Sequence, residues 1–399
     1  MTGPVPAPHS AASVLPAAAP IRRPDTSPAG LAAVGVVGFV VLGALSSALG
    51  PALPTLQDRH DLSATAASLL LTAFFGGATT GVVVAGVLRR RMSTHALLAA
   101  GGSAVALGCL ALPLSGGVAL TAALVVLAGV GFGILDLLLN LVLARAGSRG
   151  PALLMAVSAA FGISAIATPL LIGRWPSSLA VPFWSCAAGA ALLTALGSRV
   201  RVRDDAADDL PSDGGSSRGH GALAAALLGA VLLGYVTLEG GVAGWETTHL
   251  RATTDLSESH AAQSVALFWG GLAVGRLLAA PLAARVHPGT LIALALPGAA
   301  LCLAGAAHPP LAVAAYALAG LVLAPIFPAV VSWHARSRPD GRGIAALFAV
   351  GLAGPILTAP LIGRTVDAHG GAAIPWVLAL LAVLGSAVAL AARLTRALR

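Results

Sequence analysis

Three ionisable side chains interrupt long apolar runs in this chain: Asp136, Glu239 and Arg276. A charge in such surroundings costs a few kcal/mol or more, so it persists mainly when paired or when it lines a wet cavity. Asn140 follows Asp136 by one helical turn on the same face, which sets an acid beside an amide. That couple suits a sugar or polyol, whose hydroxyls donate and accept, and it suits a proton carrier whose burial raises the carboxyl pKa. The structural alternative is an aspartate paired permanently with an arginine. Glu239 lies one turn after Tyr235 and nearly two turns before Trp245. An acid flanked by rings fits a carbohydrate clamp, with rings on C–H faces and polar groups reading hydroxyls. The alternative is a glutamate near the outer third of its helix, snorkelling to the interface with Trp245 in an aromatic belt. Trp269 and Tyr316 are likewise either cavity wall or packing. The candidate ion-coupling groups are therefore Asp136, Glu239 and Arg276. The candidate solute ligands are Asn140, Tyr235, Glu239, Trp245, Trp269 and Tyr316.

The elements that must carry these residues follow from composition. The 399 residues are 57% hydrophobic and only 10% charged, against about 25% charged in soluble domains. A membrane span needs roughly 20 apolar residues, and the hydropathy pattern divides the chain into twelve such stretches. They cover about residues 31–53, 64–88, 96–114, 118–144, 152–173 and 179–196, then 222–244, 261–284, 291–306, 311–333, 344–362 and 373–394. Residues 1–30 read as a disordered Pro/Ala-rich tail, not a cleaved signal peptide. Residues 198–221 read as a charged Gly/Ser-rich linker between two six-helix bundles, 31–197 and 222–395. Apart from Arg393 at the very end of the last span, only Asp136, Glu239 and Arg276 are charged within the predicted spans, and all ten histidines fall outside them or at their ends.

The two bundles repeat each other. FFGGATTGVVVAGVLRRR at 74–91 aligns without a gap on FWGGLAVGRLLAAPLAAR at 268–285, matching at Gly76/Gly270, Gly77/Gly271, Gly81/Gly275 and Arg91/Arg285. TPLLIGR at 168–174 returns as TAPLIGR at 358–364, and AGVGFG at 128–133 echoes AGLVLA at 319–324. Small residues at every fourth position let helix backbones approach closely where lipid supplies no hydrophobic drive. Duplicated bundles of this kind occur in transporters whose site lies between the halves.

Arginine placement orients the chain. With a cytoplasmic amino terminus and twelve alternating spans, eighteen of the 23 arginines fall on the cytoplasmic side. Arg59, Arg174, Arg251 and Arg364 fall outside, and Arg276 lies within a span. The positive-inside rule then puts both termini in the cytoplasm. It also accounts for the pI near 11 through scattered loop charges, which excludes a nucleic-acid surface. Asp136 lies nine residues before Arg145 and Arg276 nine before Arg285. That spacing puts both about 13 Å inside the cytoplasmic boundary and predicts a state-dependent Asp136–Arg276 pair between the halves. The other possibility is a partner for each within its own half.

Two six-helix halves, a long middle loop and a glycine-bearing second helix ending in arginines resemble the major facilitator superfamily. Its loop after helix 2 usually reads G-x-x-x-D-R-x-G-R-R. Here Gly81, Arg89 and Arg90 are kept and Ala85 stands where the acid would be. Residues 234–240 (GYVTLEG), Gly244-Trp245, Phe268–Gly271 with Gly275-Arg276, 129–140 (GVGFGILDLLLN) and 324–328 (APIFP) are similar to the fucose-permease-like branch of sugar:proton symporters. Ser46-Ser47 replace the branch's helix-1 acid, and Met155 and Ser158 stand near its helix-5 Asn and His.

Enzyme chemistry finds no foothold. GVGFG lacks the preceding strand of a dinucleotide site. His249, Glu258 and His260 lack metal-ligand spacing, as do Cys109, Cys186 and Cys302, which sit in apolar runs. No Walker loop or cofactor site is expected. The resemblance implies an all-α membrane carrier of the bacterial inner membrane, a monomer in the lipid bilayer, importing a small polar solute such as a sugar with protons. A proton-antiport exporter of drugs or metabolites is the alternative.

Overall fold

The computed structural model describes residues 28–144, 150–176, 178–197, 220–283, 285–337 and 343–395. The terminal tails and the 198–219 segment, on which the disordered-tail and linker readings rest, lie outside the described residues, as do the side chains of Met155 and Ser158. The first half comprises α1 (Pro28–His60), α2 (Ala64–Leu88), α3 (Thr94–Ala111), α4 (Val118–Ala144), α5 (Gly150–Arg174) and α6 (Ala180–Gly197). The second comprises α7 (His220–Thr253), α8 (Glu258–Ala283), α9 (Pro288–Gly305), α10 (Ala312–Leu323), α11 (Ile326–Ser337), α12 (Ile344–His369) and α13 (Ile374–Leu394). These are twelve spans, because α10 and α11 are two pieces of one. The break falls at Pro325, which has no N–H to give the preceding turn, with Pro328 three residues on.

Eleven described stretches are long and apolar enough to cross a membrane, and Ala159–Arg174 of α5 is a shorter apolar one. Lipid satisfies no backbone polar group, so a spanning chain of this kind must be helical throughout. Short loops fix the entry of several helices: Ser63 and Ser93 each accept from the third amide beyond them, at 3.2 Å.

The packing repeats as the sequence does. In the first half α2 packs on α4, α1 on α5 and α3 on α6; in the second α8 packs on α10, α7 on α12 and α9 on α13. The halves meet along α2 with α12, α5 with α8, and α1 with α7. Within each half the tightest approach is glycine against carbonyl. A Cβ on Gly77 or Gly81 would strike the Val126 or Val130 carbonyl, and one on Gly129 or Gly133 the Phe74 or Ala78 carbonyl. The twin interface does the same, Gly271 and Gly275 facing the Ala317 and Leu321 carbonyls and Gly320 that of Phe268. Gly76 and Gly270 flank these faces with nothing within 4 Å.

Four spans differ from the hydropathy reading. The helix expected to close at 244 continues to Thr253, those expected to close at 53 and 362 run on to His60 and His369, and the tenth span is broken. In the first case a polar run, Glu246–His249, lowers hydropathy without supplying a helix stop.

The contrast between packed and open glycines gives a test. Gly81→Ala and Gly275→Ala should each destabilise the detergent-purified protein by about 1–3 kcal/mol, the usual cost of overpacking. Gly76→Ala and Gly270→Ala should be neutral or stabilising by up to about 1 kcal/mol, since alanine is the better helix former. Thermal unfolding of the four variants separates the two pairs.

Candidate functional site

Polar side chains sit on α4 of the first half and on α7 and α8 of the second. On α4, Asp136 and Asn140 continue the helix face that carries Gly129 and Gly133, at i, i+4, i+7 and i+11, and both are half-buried. The Asn140 amide donates to the Asp136 carbonyl at 2.8 Å and to its Oδ1 at 3.1 Å, holding the carboxyl in place. On α7, the Tyr235 hydroxyl donates to Glu239 Oε1 at 2.9 Å, the i, i+4 reach of a helix. The same oxygen pairs with Arg276 Nη2 of α8 at 3.7 Å. Glu239 and Asp136, one from each half, lie close enough to act on each other electrostatically. Five predicted residues are thus brought together: Asp136, Asn140, Tyr235, Glu239 and Arg276.

Three others are not. Trp245 is fully buried and borders a small gap lined by Leu71 and Phe75 of α2 and Pro355 and Ala359 of α12. Trp269 sits edge-on to Phe161 of α5 across the seam, ring centroids 5.9 Å apart. Tyr316, also fully buried, gives its hydroxyl to a contact with His249 Nδ1 at 3.0 Å. Aromatic groups beside the cluster that the spacing did not single out are Phe327 of α11, 6.2 Å from Tyr235, and Phe348 of α12, stacked on Phe327 at 5.8 Å.

Of the two partners left open for Arg276, this conformation has Glu239 of its own half, and among the described residues no ion pair joins Arg276 to Asp136. Equal depth along two helices does not fix the direction in which either side chain points. Two expectations need correction. Glu239 is near the middle of α7, not its outer third, because the helix runs nine residues further than hydropathy indicated. That extension also places Glu246 and His249 in the protein interior, at 0% and 1% exposure, although every histidine was expected at a span end or beyond. The signal that could have found them is the stretch 245–253, which has no glycine or proline to stop the helix.

One end of the seam is closed. There Arg251 of α7 pairs with Asp58 of α1 at 3.7 Å and with Glu258 of α8 at 3.8 Å. Thr55 of α1 reaches Glu258 Oε1 at 3.5 Å and donates to the Pro176 carbonyl at 2.9 Å. Asp367 at the end of α12 accepts from the Ala64 and Thr65 amides at 2.8 and 2.9 Å, capping α2 of the other half. A carboxylate at a helix N-terminus is favoured by both the free amides and the helix dipole. Ser259 of α8 donates to the Gly173 carbonyl of α5. Toward the opposite end exposure rises: Glu239 is 19% and Arg276 38% exposed at the side chain.

Two measurements bear on this geometry. A double-mutant cycle on Glu239→Gln and Arg276→Gln should return a coupling on the order of 1 kcal/mol, because partial exposure screens the pair. Asp367→Ala removes a cap that is typically worth about 0.5–2 kcal/mol. Amide exchange at Ala64 and Thr65 should then speed up about 2- to 30-fold while the α4 amides stay protected.

Comparison with known proteins places this geometry in a family. Residues 35–339 match the model of the Major Facilitator Superfamily. Sodium-dependent glucose transporter 1 of Danio rerio is 36% identical over 135 residues, 32% of this chain and 23% of that protein, so the match spans about a quarter of its length. The D-xylose-proton symporter superposes with a TM-score of 0.75 at 15% identity, covering 90% of this chain and 96% of that one. The nucleoside transporter NupG superposes with a TM-score of 0.71 at 14% identity, covering 92% and 98%. At such identities the likeness is one of fold.

Proposed function

The chain belongs to the major facilitator superfamily, and from that premise we propose that it imports a small polar solute, sugars foremost, together with protons. The observation that carries this reading is the pair of carboxylates, Asp136 and Glu239, set against each other from opposite halves. Glu239 already has a counter-charge in Arg276 and a donor in Tyr235. Among the described residues the hydrogen-bond partner of the Asp136 carboxyl is the neutral amide of Asn140, which suits it to be the member of the pair that takes up a proton. Two like charges disfavour each other at close range, so bringing the halves together is easier once Asp136 is neutral. That links the proton to alternating access: protonation of Asp136 allows closure, and its loss favours reopening.

The solute class follows from what the cluster offers. A carboxyl, an amide, a phenol and a guanidinium supply both donors and acceptors to hydroxyls, with Phe327 and Phe348 as adjacent apolar faces. The fold neighbour that is a xylose–proton symporter and the relative that is a glucose transporter support a sugar. Arginine placement supports cytoplasmic termini in a bacterial inner membrane. The Arg251 end then faces outward, and the conformation is inward-open, in a carrier that acts as a monomer.

Uptake into proteoliposomes tests the reading. A pH gradient with the acid side outside should accumulate a labelled hexose or pentose, a protonophore should collapse it, and Asp136→Asn should remove accumulation. Accumulation driven by a sodium gradient alone would reject the proton. Dye extrusion from cells without any sugar uptake would favour the exporter.

A further inference from the structure

We propose that Glu246 of α7 is a second proton-binding residue, which must be neutral for the outer end of the carrier to close. The inference rests on the transporter reading but concerns a different place. Glu246 is seven residues beyond Glu239, about 10 Å further along the helix, on the sealed side of the seam. It is 0% exposed, and neither carboxyl oxygen has a hydrogen-bond partner among the described residues. An ionised carboxylate so placed carries a very large desolvation penalty, and buried acids escape it by becoming neutral.

A proton fits the surroundings better than a metal ion. Hard cations take several oxygen ligands at short range, and among the described residues no group of three or more His, Cys, Asp or Glu side chains gathers that could hold one. The neighbour within electrostatic reach is the Tyr316 hydroxyl of α10, which is engaged with His249 Nδ1, while His249 Nε2 meets Thr253 Oγ1 at 3.3 Å. The charged groups of the packed elements are committed elsewhere or exposed: Arg59 of α1 donates to the Pro113 carbonyl, His60 meets Thr121, and Arg364 of α12 and Arg336 of α11 are exposed. Asp58 of α1 and Glu258 of α8 hold Arg251, Arg276 of α8 holds Glu239, and Asp367 of α12 caps α2. His260 of α8 is bound to Ser257; His369 of α12 and His334 of α11 lie at helix ends, and α13 carries only Arg393 near its own end.

The cycle balances simply. When the Asp58–Arg251–Glu258 contacts part, water reaches Glu246 and the carboxyl releases its proton to that water. The carboxylate then accepts the Tyr316 O–H, which turns from His249. Closure requires the proton to return from the outer solution, so each closing of the outer end binds one proton at a group that touches no solute.

Infrared spectroscopy of the full-length protein in bilayers tests this without any substrate. At neutral pH the wild type should show the carbonyl stretch of a protonated carboxyl, which should persist in Asp136→Asn and vanish in Glu246→Gln. Glu246→Met, similar in volume, gives the same reading where the amide variant does not assemble. An unchanged band in both Glu246 variants would overturn the assignment, and so would loss of the wild-type band on adding sodium chloride. In transport, Glu246→Gln should lower the ratio of pH-driven accumulation to downhill flux. A carrier that moved no sugar would overturn the proposed solute, whereas a band lost with Glu246 would still support the proton site, so the two failures are told apart.

Discussion

Hydrocarbon tolerates almost no unpaired charge, and that one constraint sorts the whole molecule. A chain with 57% hydrophobic residues can cover twelve spans, but it must put its few intramembrane acids and its one intramembrane arginine where lipid cannot reach. Two places qualify: the seam between the halves, and the interior of a half. Asp136, Glu239 and Arg276 occupy the first, with partial water access. Glu246 and His249 occupy the second, with none. The difference is chemical as well as spatial, since a wet seam can hold charges that a dry interior must neutralise.

Rigid halves are the complement of a mobile seam. Glycine-to-carbonyl contacts between α2 and α4, and again between α8 and α10, bring backbones so close that a methyl group has no room. Such interfaces are bistable at best, not continuously deformable. The contacts that join the halves are mixed: Gly50 of α1 lies against the Ala243 carbonyl of α7 as closely as any glycine within a half. Beside it stand surface ion pairs such as Arg251–Asp58, which contribute little each, and the Asp367 cap on α2.

The sequence disclosed the repeat, the spans and the members of the polar cluster because each is written in spacing. Gly77/Gly271 and Gly81/Gly275 recur at one interval, and Tyr235 and Glu239 sit one helical turn apart, so neither depends on knowing how helices cross. The partner of Arg276 was not legible in this way. Rise per residue gave the depth of Asp136 and Arg276, but the angle about each helix axis depends on which neighbour the helix packs against. Hydropathy also truncated α7, since Glu246, Thr247, Thr248 and His249 look like loop residues until a second helix covers them. Tyr316 on α10 supplies that cover, and nothing near it in sequence points to His249.

The length of α7 now has a reason. At 34 residues and a rise of about 1.5 Å each, it is longer than the roughly 20 residues a bilayer core demands. The excess is not needed for spanning. It carries, in chain order, the Tyr235–Glu239 step at the seam, the dry Glu246–His249 step inside the half, and Arg251 at the closed end. A single helix joins these three levels. On the function proposed above, opening the Arg251 contact would displace the segment that seals Glu246 and shift Glu239 with it. Proton binding at either acid would then bias one shared equilibrium, which is the thermodynamic requirement for coupling between sites.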